Sequence, residues 1–250
     1  MSGHSDVRVA LVTGAGSGIG RGVACRLSDD GFRVVASDIN QGALENLAGE
    51  RAELTFLPMD VSHESSVLAN MSKLAEDFGR LDVVVNSAGI LGAIDDDMPT
   101  VEGTPLAVWQ RVQDVNLTGA FLVCRSAIPL MRQGGWGRIV NVASRSARTL
   151  AGNPAYSASK GGLVAFSRNL AAEVAPYGIT ANCLAPSWVE TGLTRHMDGD
   201  HLRQRKIAET PIGRIGTVED MANGVAFLVS EDAGFITGTV LDVNGGSFMQ

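Results

Sequence analysis

The chain is poor in several things at once. Of its 250 residues only three are lysine, two tyrosine and three cysteine, and aromatic residues total 5%. Lys73, Lys160 and Lys206 are too few and too scattered for a polybasic patch, and the formal net charge is −7. A protein whose partner is nucleic acid or an anionic membrane surface needs the opposite balance, so neither is expected. Cys25, Cys124 and Cys183 stand far apart, each among apolar residues. That pattern fits buried thiols in a reducing, cytoplasmic setting and argues against a disulfide framework or a zinc site. No apolar run approaches about 18 residues, so no membrane-spanning helix is expected. Residues 1–6 lack the basic start and apolar middle of a secretory signal. What the chain does have is apolar mass: 45% of residues are hydrophobic and 19% charged, enough to bury a large core.

Apolar, strand-like runs at 7–13, 33–37, 54–58, 82–86, 138–143, 179–184 and 240–243 alternate with helical spacing at 19–29, 41–51, 63–78, 106–133, 154–176 and 218–229. The run at 82–86 is nearly all valine, as suits a parallel strand covered on both faces. Strand–helix alternation implies βαβ units, and right-handed crossovers then give a doubly wound parallel α/β sheet of about seven strands with helices on both faces. With no repeat or linker, residues 1–250 read as one domain. The segment 187–217, rich in charge and glycine, reads as a lid over the site, with a short helix near 201–208.

The first strand runs into Thr13-Gly14-Ala15-Gly16-Ser17-Gly18-Ile19-Gly20. Glycines at a strand-to-helix turn let backbone approach a pyrophosphate, and the helix N-terminus offers it free N–H groups; a tight turn made for packing is the alternative. Asp38 ends the second strand. A carboxylate there accepts hydrogen bonds from the adenosine ribose hydroxyls and repels a 2′-phosphate, so it favours NAD over NADP, unless it only caps a helix. The loop carries no arginine or lysine to hold that phosphate.

Tyr156 and Lys160 lie four apart in the helical segment 154–176 and so share one face. An ammonium one turn away favours phenolate and is expected to pull the tyrosine down from its ordinary value of about 10, fitting it for proton transfer to or from an oxygen near neutral pH. Taken with the glycine loop, Asn86-Ser87-Ala88-Gly89, Asn116 and Ser144, in this order on these elements, the chain resembles the single-domain short-chain dehydrogenase/reductases of Rossmann type from Val7 to Gly246.

The resemblance implies specific roles. Tyr156 is the general acid/base. Lys160 holds the nicotinamide ribose and lowers the tyrosine pKa. Ser144 bonds the substrate oxygen. Asn116 holds a water in a proton relay to Lys160. Around the dinucleotide it places Gly14, Ser17, Gly18, Ile19 and Gly20 at the phosphates and Asp38 at the ribose. Asp60 and Val61 fall at the adenine, Asn86, Ala88 and Gly89 beside the cofactor, and Pro186, Val189 and Thr191 near the carboxamide. It also implies a homotetramer through the long helices, where Phe121, Val123, Val164, Phe166 and Leu170 exceed one apolar stripe. The expected substrate is a small alcohol or ketone, with a 3-oxoacyl thioester as the alternative. The thioester enzymes usually take NADPH and set basic residues at the entrance, where this chain has Trp136 and Tyr177 beside Arg132 and Arg138. A non-catalytic NAD-binding sensor is the rival from another class.

The chain departs from the family pattern at Ser87, at Ser187 after Pro186, and at Asn244 before Gly245-Gly246. Ser144 lies 12 residues before Tyr156, one short of the usual spacing, which leaves Ser146 as a second candidate. Arg145 and Arg148 fit either an anionic substrate or solvent. Asp95-Asp96-Asp97 reads as a solvated loop, and His196, Asp198, Asp200 and His201 match no metal spacing, so no metal is expected.

Overall fold

The structure is a computed structural model describing residues 7–94, 97–192 and 200–249. Asp95, Asp96, His196 and Asp198 lie outside the described residues, as does the side chain of Asp200. Seven strands form one sheet: β1 (Val9–Thr13), β2 (Arg33–Asp38), β3 (Thr55–Pro58), β4 (Val83–Asn86), β5 (Gly137–Val142), β6 (Ile179–Pro186) and β7 (Val240–Val243). Their order is β3-β2-β1-β4-β5-β6-β7 and every pair is parallel. The crossovers are α1 (Gly18–Asp29), α2 (Gln41–Glu50), α3 (Glu64–Phe78), α4 (Leu106–Gln113), α5 (Gly119–Gly134), α6 (Pro154–Val174), α7 (Asp200–Ala208) and α8 (Val218–Val229).

Strand alternation sorts the core into two layers. Val9, Leu11 and Val84 pack toward α3, α5 and α6, whereas Ala10, Val12, Val83 and Val85 pack toward α1, α2 and α8. With both faces covered, the central strands β1, β4, β5 and β6 are buried throughout, as the valine runs predict. The chain reverses its winding between β1 and β4, and a crevice opens beyond the C-terminal ends of these strands, where ligands of such sheets bind.

The expected single helix over 106–133 is the main difference in the fold. Between α4 and α5, residues Asp114–Thr118 form a turn of π-helix, widened by one residue, and α5 carries Pro129 internally. Such bulges gather at functional positions. This one holds Asn116. Among the described residues, no helix is long and apolar enough to cross a membrane.

Candidate active site

The crevice is a cleft of about 710 Å³. Its floor begins at the turn after β1. Gly14 takes φ +68°, and a Cβ on it would fall 2.8 Å from the Ala88 backbone; one on Gly20 would fall 2.2 Å from the Gly14 carbonyl oxygen. Only bare backbone closes this turn. Ser17 stands at the N-cap of α1 without a side-chain cap bond, and no acidic residue occupies the helix's first turn. The positive end of α1 is therefore left to an anion. Asp38 Oδ2 accepts from the Gly16 N–H at 2.9 Å and Oδ1 from the Asn40 N–H at 2.9 Å. It does not cap α2, because the Asn40 side chain does that by accepting from the Ala43 N–H. Asp60 Oδ1 accepts from the Ser62 N–H at 2.9 Å, and Asp60 and Val61 line the same end of the cleft. A backbone cradle at a helix N-terminus, followed by a carboxylate at the next strand end, fits a dinucleotide.

At the other end, Asn153 and Pro154 start α6. The Asn153 side chain accepts from the Tyr156 N–H at 2.9 Å and donates to the Leu91 carbonyl at 2.5 Å, so one residue fixes both the tyrosine's turn and the loop after β4. Ser144, just past β5, borders the cleft beside the Tyr156 phenol, whose pKa it lowers. Its Oγ accepts from the Ser146 N–H at 3.1 Å and donates to Ser146 Oγ at 3.1 Å. Both serines line the cleft, and Ser144 is the one that acts on the tyrosine. Lys160 is 4% exposed, with Nζ donating to the Val142 carbonyl at 2.7 Å and lying 5.7 Å from the Tyr156 ring centre. Burial lowers Lys160 to about 8, which leaves it charged at neutral pH.

The structure departs from the expectation at Tyr156 and adds detail at Asn116 and Asn86. Burial is the largest influence on Tyr156 and pushes the phenol up, with Ser144 beside it opposing. Lys160 does not lower it, because burial brings Lys160 itself to about 8 and its charge is lost before the phenol titrates. Asn116 is buried in the π turn and does not line the cleft. Its Oδ1 accepts from the Ile90 N–H at 2.8 Å, and its Nδ2 donates to the Ile90 carbonyl at 2.9 Å and to Ser159 Oγ at 3.0 Å. Ser159 in turn donates to the Tyr156 carbonyl at 2.7 Å. The Asn116 amide thus positions the loop and α6, with its Oδ1 and Lys160 Nζ both beside Gly89. Asn86 also leaves the cleft: it shares a strand face with Val84, and its Nδ2 donates to Asn141 Oδ1 at 2.8 Å and Cys124 Sγ at 3.2 Å. The remaining expected positions, Gly14, Ser17, Gly18, Ile19, Gly20, Asp38, Asp60, Val61, Ala88, Gly89, Ser144, Tyr156, Lys160, Pro186, Val189 and Thr191, all border the cleft.

Ser187 lines the cleft and is hydrogen-bonded through its Oγ to Ser247 at 2.8 Å, which draws the C-terminal turn toward the site. Arg148 is paired with Asp242 and stacks on Phe248, whereas Arg145 faces the cleft. Sequence reasoning missed Arg111, Trp188 and Lys206, which also border it. It missed Asn153 as well, although Asn-Pro at a helix start was a readable signal. Arg132 stacks on Tyr177, and Arg8 and Arg138 stack on Trp136, all around the N-terminal ends of β5 and β6, at the far end of the sheet from Tyr156. Among the described residues, no group of three His, Cys, Asp or Glu gathers as a metal site.

A family model described as Enoyl-(Acyl carrier protein) reductase matches residues 14–247. A 2-dehydro-3-deoxy-L-rhamnonate dehydrogenase (NAD(+)) from Sphingomonas sp. (strain SKA58) is 38% identical over 252 residues, covering 98% of this chain and 97% of that protein. The 3-oxoacyl-[acyl-carrier-protein] reductase FabG of Escherichia coli (strain K12) is 35% identical over 246 residues, covering 97% of this chain and 98% of that protein. Among solved structures, the crystal structure of gox2181 matches with a TM-score of 0.90 at 34% identity, covering 98% of this chain and 96% of that chain.

Proposed function

The chain belongs to the short-chain dehydrogenase/reductase family, and from that premise we propose an NAD(H)-dependent oxidoreductase that interconverts a secondary alcohol and a ketone. One observation carries the reading: Ser144, Tyr156 and Lys160 border the same cleft as the glycine turn and Asp38. When bound, a nicotinamide dinucleotide supplies the hydride acceptor for oxidation and the donor for reduction. Tyr156 moves the proton at its phenolic oxygen, giving it to the ketone oxygen in reduction and taking it from the hydroxyl in oxidation. Ser144 bonds that same substrate oxygen as charge develops on it. Lys160 brings a positive charge beneath the site and is placed to hold ribose hydroxyls. Gly14 and Ser17–Gly20 cradle phosphates, and Asp38 takes the adenosine ribose. Because burial holds Tyr156 high, it is protonated at neutral pH, which favours reduction there and moves oxidation toward alkaline pH.

Asp38 supports NAD over NADP. The 38%-identical relative is named as NAD(+)-dependent, in keeping with this choice. The likeness to FabG keeps 3-oxoacyl thioester reduction as the second reading. Purified protein assayed with NAD and NADP over polyols, hydroxy acids and steroids, and with NADH and NADPH on an acetoacetyl thioester, separates the two. Tyr156→Phe is expected to keep dinucleotide binding while losing about 10²–10⁴-fold in turnover. Nearly intact turnover in that variant sinks the mechanism.

We further propose a homotetramer in a reducing, cytoplasmic compartment. The three cysteines are unpaired. Phe121 of α5 is exposed and meets Phe166 of α6 edge-on at 6.2 Å, which leaves an aromatic ridge for a two-fold contact. Residues 187–217 act as the substrate lid.

A further inference from the structure

The cleft is polarised along its length. Among the described residues its carboxylates, Asp38 and Asp60, both stand at the nucleotide end. Of the three described cations bordering it besides Lys160, Arg111 donates to Ser62 Oγ at 2.9 Å, next to Asp60. The other two, Arg145 and Lys206, belong to the substrate end. Arg145 follows Ser144 directly, and Lys206 comes from α7 within the lid segment.

Arg145 and Arg148 begin as equivalents in one short turn, and the structure separates them. Arg148 has a carboxylate partner in Asp242 and a ring beneath it in Phe248. Arg145 is half-buried, and its recorded hydrogen bond is a long one, 3.5 Å to the Ser247 carbonyl. Lys206 lies over Trp188 at 5.6 Å and is paired with Glu209 at 2.8 Å, while its side chain is only 15% exposed. Glu209 pairs with Lys206 at 2.8 Å and with Arg205 at 3.4 Å, and Arg145 also holds its pKa down, so among the described residues this one carboxylate stands near all three cations. Partly buried cations in excess are stabilised by a further anion, and a guanidinium fits a carboxylate with two parallel hydrogen bonds. Apolar surface also borders the cleft, in Leu91, Met98 and Leu150, the last fully exposed at 106%.

We infer that the substrate is a hydroxy acid or its keto acid with an apolar body, whose carboxylate is held by Arg145 and Lys206 while its secondary alcohol or ketone meets Tyr156 and Ser144. The inference rests on the proposed oxidoreductase reading and narrows it to anionic substrates. Arg145 and Lys206 set specificity and take no part in the proton or hydride transfer.

The test uses the full-length protein with a chain-length series of secondary alcohols bearing a terminal carboxylate, 3-hydroxybutanoate to 6-hydroxyheptanoate, each against its methyl ester. At the preferred length the acid is expected to exceed the ester in kcat/KM by about tenfold or more, as a charge-assisted hydrogen bond provides. Arg145→Gln should close that gap by raising KM for the acid far more than for the ester, and Arg145→Lys should restore part of it. Independently of any variant, butanoate should compete with a neutral alcohol in the wild type more strongly than butanamide does. Equal use of acid and ester by the wild type, or an Arg145→Gln change that falls alike on both, overturns the inference alone. No turnover of acid, ester or any neutral alcohol with either dinucleotide overturns the oxidoreductase reading as well.

Discussion

At the nucleotide end of the cleft the groups that meet a ligand are backbone, or side chains bonded to backbone. Gly14 has no room for a Cβ against the Ala88 backbone, nor Gly20 against the Gly14 carbonyl, and both Asp38 oxygens accept main-chain N–H groups. At the substrate end the corresponding groups are long side chains: Arg145 from the turn after β5, Trp188 from the start of the lid and Lys206 from α7 within it. The first arrangement is set by sheet geometry and admits almost no substitution. The second can be rewritten residue by residue without moving a strand. On the proposed reading, one protein keeps a fixed cofactor seat beside an adjustable substrate seat, with the chemistry assigned to the seam that Tyr156, Ser144 and Lys160 border.

The comparison breaks most severely at the seam. Lys160→Met should cost about 10²–10⁴-fold in turnover, on the scale of losing an acid–base partner, and yet stabilise the fold at neutral pH by removing a buried charge. The sign follows from its titration. Lys160 titrates near 8 in the folded protein, against about 10.4 unfolded. Between those values the unfolded chain binds more protons, so wild-type stability rises with pH there, and below about 8 the penalty is fully present. Denaturant melts of both proteins from pH 7 to pH 10 should converge as pH rises; parallel curves would contradict this.

Next in size is Gly20→Ala, whose Cβ collides with the Gly14 carbonyl. It should lower stability by about 1–3 kcal/mol and weaken dinucleotide binding, read by thermal melts with and without NAD. Asp38→Ala should lower the ratio of kcat/KM for NAD over NADP by about tenfold or more, the worth of a charge-assisted hydrogen bond, while leaving the acid-over-ester preference of the substrate end in place. The smallest effect belongs to the far edge of the lid. Thr217 and Asp220 form a reciprocal capping box at the start of α8, and Thr217→Ala should cost about 1 kcal/mol of stability with little change in the KM for NAD.

What could be read from the sequence follows the same division. The strands were legible because valine-rich parallel strands carry their own signature, and the glycine turn because its spacing is a steric requirement. The break in the helix at 114–118 was not legible, since apolar residues recur similarly through a turn of π-helix and one of α-helix. The direction of Asn86 could have been inferred: strand parity puts it on the face of Val84, which packs toward α5. The state of Tyr156 could not, because spacing along a helix places Lys160 near the ring but says nothing about how deeply both groups are buried. Lys206 was visible only as one charge among several in 187–217. Its pairing with the cleft depends on how α7 folds back, a matter of tertiary packing.

The bond from Lys160 to the Val142 carbonyl has a consequence for how the protein fails. Val142 is the last residue of β5, matched in register with Leu184 of β6. The ammonium is thereby moored to the inner strands, among the last parts of such a sheet to loosen. Heat that merely frays the lid leaves this mooring intact, and its loss coincides with collapse of the fold itself, so inactivation through Lys160 and denaturation are one event.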